Sequence, residues 1–161
     1  MSINVGDRLP EATFTISTGE GPKQVSSGEL FKGKTVVLFA VPGAFTPTCS
    51  EQHLPGFVAL ADQLRSKGVT AIACTSVNDV FVLDAWAKAR NAKDDITMLA
   101  DGNGDFAKSL GLDIDLSKFG LGLRSKRYAM VLEDGVVKYL AVEDSPPEHI
   151  KATAEKVLAS F

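Results

Sequence analysis

One cysteine stands where chemistry is expected. Cys49 closes the stretch Val41-Pro42-Gly43-Ala44-Phe45-Thr46-Pro47-Thr48-Cys49, after an apolar run and before a segment, residues 51–67, that reads as helix. A thiol at a strand-to-helix turn sees unpaired N–H groups and the positive end of the helix dipole, which favour the thiolate. The thiolate is the nucleophilic form of cysteine, so Cys49 is a candidate catalytic nucleophile. The competing reading is a small buried hydrophobe, which fits most free cysteines. Thr46 lies three residues earlier and reaches the same small volume. Its hydroxyl can accept a hydrogen bond from a substrate, donate one to the sulfur, or cap the helix. Pro42 and Pro47 stiffen the loop. Pro42 brings no N–H, so it can wall a site without competing as a donor, or simply terminate the strand.

The second cysteine, Cys74, ends a second apolar run, residues 69–74, and reads as buried and inert. To resolve an oxidised Cys49 its Cα would have to come within roughly 7 Å, or the backbone would have to rearrange. In a reducing compartment such a pair is expected as two thiols rather than a staple.

Other chemistries find less support. His53 and His149 have no zinc spacing with the cysteines. His53, one helical turn after Cys49, can support the thiol electrostatically or pack structurally, and packing is the favoured reading; Trp86 reads as core or interface. Asp101-x-Asn103-x-Asp105 imitates the start of a calcium loop, but Phe106 and Leu112 stand where that loop needs Gly and Glu. No dinucleotide fingerprint, P-loop or nucleophile elbow occurs, and no C-x-x-C marks a dithiol reductase. A net charge of −3 and a pI near 5.4 argue against a nucleic-acid surface. The basic clusters are Lys32-Gly33-Lys34 and Arg124-Ser125-Lys126-Arg127, where Arg127 reads as one of two arginines at a strand start. No secretory signal and no apolar run of about 18 residues is visible, so a soluble, cytoplasmic protein without membrane contact is expected.

The elements that must position Cys49 follow from pattern. With 161 residues, 45% hydrophobic and 23% charged, a single domain spanning 1–161 with a substantial core is expected. Residues 11–16 and 24–26 read as short strands around turn chemistry at residues 18–22. Residues 35–41 are nearly all apolar and predict a central strand covered on both faces. Helix spacing over residues 51–67 is interrupted by Pro55, which should kink it, and Gly68 is a plausible stop. A helix over residues 80–91 is expected behind an Asn78 or Asp79 cap, with Phe81, Ala85 and Ala89 on one stripe. Residues 97–100 predict a strand, 105–110 a short helix and 113–123 a loop. Residues 128–132 and 136–142 predict a hairpin turning at Glu133-Asp134-Gly135. Ser145-Pro146-Pro147-Glu148 carries start signals for a final helix with Ile150, Ala154, Val157, Leu158 and Phe161 on its apolar face. The order implies an α/β fold, a mixed sheet flanked by helices on both faces. Ligands of such sheets collect at the carboxyl ends of parallel strands, where Cys49 falls.

Residues 42–49 resemble the P-x-x-x-T-x-x-C motif of the peroxiredoxins. With Ser50 and His53-Leu54-Pro55-Gly56-Phe57 the stretch is similar to the type 5 (type II) subfamily. The likeness extends over nearly the whole chain, through Val5-Gly6-Asp7, residues 29–34, Ser76-Val77-Asn78-Asp79, Leu99-Ala100-Asp101 and residues 126–131. The resemblance implies a thioredoxin-like fold and a thiol peroxidase for hydrogen peroxide and organic hydroperoxides, needing no metal, haem or flavin. In its terms Cys49 is the peroxidatic cysteine, Pro42 shields it and Thr46 binds the peroxide. Arg127 then supplies charge and a fork of donors, with Arg124 a second candidate, and the amides near Thr48 and Cys49 complete the donor set. The subfamily's internal resolving cysteine usually lies late in the chain, and nothing after Cys74 is a cysteine. The expectation is a one-cysteine cycle recycled by an external thiol: glutathione, glutaredoxin or thioredoxin. A homodimer is implied as well, with Phe45, Phe81 and Phe119 near its interface. The alternative is a redox sensor that passes oxidation to a partner protein.

Overall fold

A computed structural model describes residues 2–161. Its strands are β1 (Thr13–Thr18), β2 (Gly21–Ser26), β3 (Thr35–Ala40), β4 (Ala71–Ser76), β5 (Thr97–Ala100), β6 (Asp113–Asp115), β7 (Leu123–Ser125), β8 (Tyr128–Glu133) and β9 (Val136–Val142). The α-helices are α1 (Ser27–Phe31), α2 (Leu54–Ser66), α3 (Val80–Ala89), α4 (Asp105–Leu110) and α5 (Ala154–Ala159). Seven strands form one mixed sheet in the order β2-β1-β5-β4-β3-β8-β9.

The apolar run of β3 explains its place. Val37 and Phe39 enter one core with α2, α3 and α5, while Val36, Leu38 and Ala40 enter a second core with Phe31 of α1 and Phe106 and Leu110 of α4. A strand buried on both faces needs no polar alternation. On the first face Phe57 stacks on Phe39, with ring centroids 4.1 Å apart and planes 9° from parallel. Truncating Phe57 to alanine would cost about 3–5 kcal/mol. Asp134 (φ 51°) and Gly135 (φ 76°) are both left-handed, which makes a two-residue turn whose twist matches the β8–β9 hairpin.

Four expectations need correction. The first helix starts earlier, with Pro47 and Thr48 already helical, and runs through a π-helical turn, Cys49–His53, before α2. Leu54 N donates to Cys49 O, five residues back. Pro55, which has no N–H to donate, sits just beyond this wider turn, so the irregularity falls on Cys49 itself. In α3 the buried stripe is Val80, Leu83, Trp86 and Ala87, and Phe81 is exposed. Asp79 is the cap, accepting from Val82 N at 2.9 Å. Residues 113–123 are not all loop, because β6 pairs antiparallel with β7. The last helix begins at Ala154 behind a Thr153 cap, not at Ser145. The amides of Ile150, Lys151 and Ala152 donate instead to the Glu143 carboxylate, which pulls the chain off a helical path and leaves Ile150 exposed.

Candidate active site

Sheet register brings Arg127 to Cys49. β8 runs antiparallel to β3, with Tyr128 opposite Ala40. Arg127, just before β8, therefore lies beside Val41, just after β3, where the Pro42–Cys49 loop departs. The neighbouring parallel strand β4 ends at the same edge and fastens that loop. Val41 N donates to Thr75 O at 3.2 Å, Ser76 Oγ to Val41 O at 3.0 Å, and Ala44 N to Asn78 Oδ1 at 3.0 Å. Asn78 is thus a loop fastener rather than a helix cap. Gly43 is a place of close approach: a Cβ there would meet Arg124 Nη1 at 2.9 Å and Thr46 Cγ2 at 3.3 Å and would push the arginine tip aside.

Cys49 Sγ is fully buried, and Arg127 Nη2 donates to it at 3.1 Å. Arg127 is itself buried, so its charge acts on the sulfur without screening by bulk water. The rest of the guanidinium is held by neutral acceptors. Nε and Nη2 donate to Pro146 O at 3.2 and 3.1 Å, and Nη1 donates to His53 Nδ1 at 3.1 Å. His53 Nε2 in turn contacts Ala152 O at 2.8 Å. A guanidinium only donates and a carbonyl only accepts, so these partners assign His53 as the neutral imidazole with its proton on Nε2. Burial, with the Arg127 charge and His149 adding to it, holds His53 well below the usual histidine range. The His149 ring lies 5.0 Å from that of His53, and burial with Arg127 holds it low too.

The other expected residues fall as follows. Thr46 is half-buried and its Oγ1 donates to Gly43 O at 2.6 Å, not to the sulfur. With its proton committed there, the oxygen presents lone pairs, which makes it an acceptor. Thr46 does not cap the helix with its side chain. Thr48 Oγ1 donates to Pro147 O at 3.4 Å. The amides of Thr48 and Cys49 lie in the first turn after Pro47, where no helical carbonyl stands behind them. Pro42 is buried, and its carbonyl accepts from Arg124 Nη1 at 3.4 Å. Arg124 is therefore engaged with the outer wall of the loop, and among the bonds described only Arg127 of the two arginines reaches the sulfur. Cys74 is fully buried in the middle of β4, paired to Phe39 and Met98 of its neighbouring strands, and does not end its strand. Burial, first, and the nearby Cys49 push its thiol well up. Both cysteines are free. The bonds of His53 to Arg127 and Ala152, and the part played by the Pro146 carbonyl, were not legible in the sequence. His53 precedes its arginine partner by 74 positions, and backbone carbonyls carry no sequence signature.

The Redoxin family model matches residues 4–158. The chain is 47% identical over 160 residues to Peroxiredoxin-2C of Oryza sativa subsp. japonica, covering 99% of this chain and 98% of that protein. This chain belongs to the peroxiredoxins. It is also 53% identical over 148 residues to the chloroplastic Peroxiredoxin-2E of Arabidopsis thaliana, covering 89% of this peroxiredoxin and spanning 63% of that relative's length. Among solved structures, the reduced Prx3 of Vibrio vulnificus, crystallised in complex with H2O2, superposes with a TM-score of 0.93 at 55% identity, covering 98% of each chain. The seven-stranded mixed sheet with helices on both faces is the thioredoxin-like fold of these peroxiredoxins.

Proposed function

We propose that this peroxiredoxin is a thiol-dependent peroxidase that reduces hydrogen peroxide and small organic hydroperoxides at Cys49. The observation that carries this reading is the buried guanidinium donating to a buried sulfur at 3.1 Å. A charge-assisted bond of this kind stabilises the thiolate over the thiol. The Cys49 thiolate attacks one peroxide oxygen. An S–O bond forms, the O–O bond breaks, sulfur is oxidised by two electrons, and the hydroperoxide's proton ends on the departing oxygen to give water or an alcohol. Negative charge moves from sulfur onto the two oxygens as this happens. Arg127 and the amides of Thr48 and Cys49 are the donors aimed at that charge, and Thr46 accepts the peroxide hydrogen and orients the substrate. Pro42 shields the sulfur.

The oxidised Cys49 is recycled by an external thiol. One thiol displaces water from the sulfenic acid to form a mixed disulfide, and a second thiol releases Cys49. Glutathione, glutaredoxin and thioredoxin are the candidates. A sulfur with no exposure is out of reach of a protein thiol until the π-helical turn opens. Cys74 is a poor internal resolver, because its thiol is held well up by burial and its backbone is tied to strands on both sides. Exposed Phe45 (55%), Phe81 (71%) and Phe119 (69%) support a homodimer, which sedimentation tests. We take the compartment to be the cytoplasm, which suits two thiols and which fractionation tests.

The deciding experiment mixes reduced protein with one equivalent of hydrogen peroxide and traps sulfenic acid by mass. The adduct is expected on Cys49, and Cys49→Ser should yield none. Peroxide consumption by Cys49→Ser at the parental rate, with thiols present, overturns the assignment. A sensor that relays oxidation would instead form the adduct yet turn over poorly with every reductant.

A further inference from the structure

The carboxylate that diverts the last helix also stands behind the active site. Glu143 is buried, although it is a charged residue just beyond β9. Its backbone N donates to Arg127 O at 2.9 Å, which extends the β8–β9 ladder and sets it directly beside the arginine. Its Oε2 accepts three consecutive amides, Ile150 at 2.9 Å, Lys151 at 2.7 Å and Ala152 at 2.7 Å. The chain between these anchors, residues 144–152, is a strap. The strap delivers Pro146 O to Arg127 and Ala152 O to His53. His53 then meets Arg127, and Arg127 meets the sulfur.

We propose that Glu143 is a positioning residue for the Arg127–Cys49 contact, acting through the strap whose amides it gathers. The arrangement solves an electrostatic problem. A buried arginine is ordinarily matched by a carboxylate, and a carboxylate on Arg127 would absorb the field that Cys49 needs. Among the described residues Arg127 makes no salt bridge. Neutral acceptors fill its fork, and the buried negative charge spends its hydrogen bonds on backbone amides one layer away. Glu143 Oε1 has no hydrogen-bond partner. The carboxylate is therefore held from one side, by the strap alone.

The inference rests on Cys49 being peroxidatic, and its test separates the two. Two quantities are measured in the parent and in Glu143→Gln: the rate constant of Cys49 oxidation by hydrogen peroxide, and the pH profile of its alkylation by iodoacetamide. A glutamine keeps one acceptor oxygen for the three amides but loses the negative charge that strengthens each of those bonds. The oxidation rate constant should fall about 10- to 100-fold through misplacement of Arg127, and the alkylation profile should move to higher pH. The same substitution in an Arg127→Lys background should add little, because the guanidinium fork that the strap's Pro146 carbonyl holds is already gone. A folded Glu143→Gln protein with parental rate and profile, or one whose loss multiplies with that of Arg127→Lys, overturns the inference. A parent protein inert to peroxide overturns the peroxidase reading instead. Should Glu143→Gln fail to fold, hydrogen exchange in the parent decides. The amides of Ile150, Lys151 and Ala152 should be protected like those of β8, and free exchange there overturns the inference.

Discussion

The two cysteines share one apolar core and one degree of exposure, none, yet their surroundings are opposite. Cys74 sits mid-strand, its backbone tied on both sides, and its Sγ reaches only the Thr75 carbonyl, at 3.9 Å. Cys49 sits on a π-helical turn and receives a guanidinium N–H. Burial without a donor keeps a thiol protonated, and burial with a fixed cation favours its anion. Exposure alone therefore says nothing about which thiol reacts.

The sharpest way to break this contrast is to remove the cation. Arg127→Ala should lower the rate constant of Cys49 oxidation by about 10²–10³, as expected for losing one preorganised donor, measured by stopped-flow peroxide competition. Arg127→Lys should recover only part of the loss, because an ammonium cannot serve the sulfur, His53 and Pro146 together. A smaller effect is expected at Thr46. Thr46→Val keeps the shape and deletes the acceptor, and should slow oxidation about tenfold, the scale of one hydrogen bond of about 1.4 kcal/mol. Unchanged kinetics would confine Thr46 to its bond with Gly43.

Stability against pH separates the two surroundings again. His53 and His149 are held low in the fold, so the unfolded chain takes up protons that the folded chain refuses. Their contribution is fully present above about pH 6.5 and declines as pH falls below it. His149→Gln should flatten that acid slope in thermal melts. The Cys74 thiol is held high, so above about pH 9.0 the unfolded chain loses a proton that the fold retains, and stability declines as pH rises. The smallest effect is on rate. Cys74→Ala should leave peroxide turnover parental with each reductant, cost about 1 kcal/mol, and remove the part of the alkaline decline that begins near pH 9.0, leaving the part set by the buried Tyr128 and half-buried Tyr139 phenols. Loss of turnover in that variant would restore a resolving role for Cys74.

What the sequence disclosed divides along the same lines. The double burial of β3 was legible because it is written in consecutive apolar residues, and the β8–β9 turn because Asp134 and Gly135 must both be left-handed. Cys49, Thr46 and Pro42 were legible because they are neighbours. Arg127 became legible only through resemblance, since the register that sets it beside Val41 is a property of the sheet. His53 was read as packing because its partners lie 74 and 99 positions away. The stripe of α3 was assigned to the wrong face by following Phe81 instead of Leu83 and Trp86. The start signals at Ser145 were real turn chemistry, since Ser145 Oγ does bond Glu148 Oε1 at 2.9 Å. A buried acid two residues earlier outcompeted the helix for its amides, and local propensity does not record such competition.

The strap has a temporal meaning as well. The nucleophile comes from the first third of the chain, its cation from residue 127, and the carbonyls that aim that cation from residues 146 and 152. A ribosome delivers these parts in that order. Cys49 thus emerges well before its arginine, and the two are aimed at each other only when the last loop closes over the sheet.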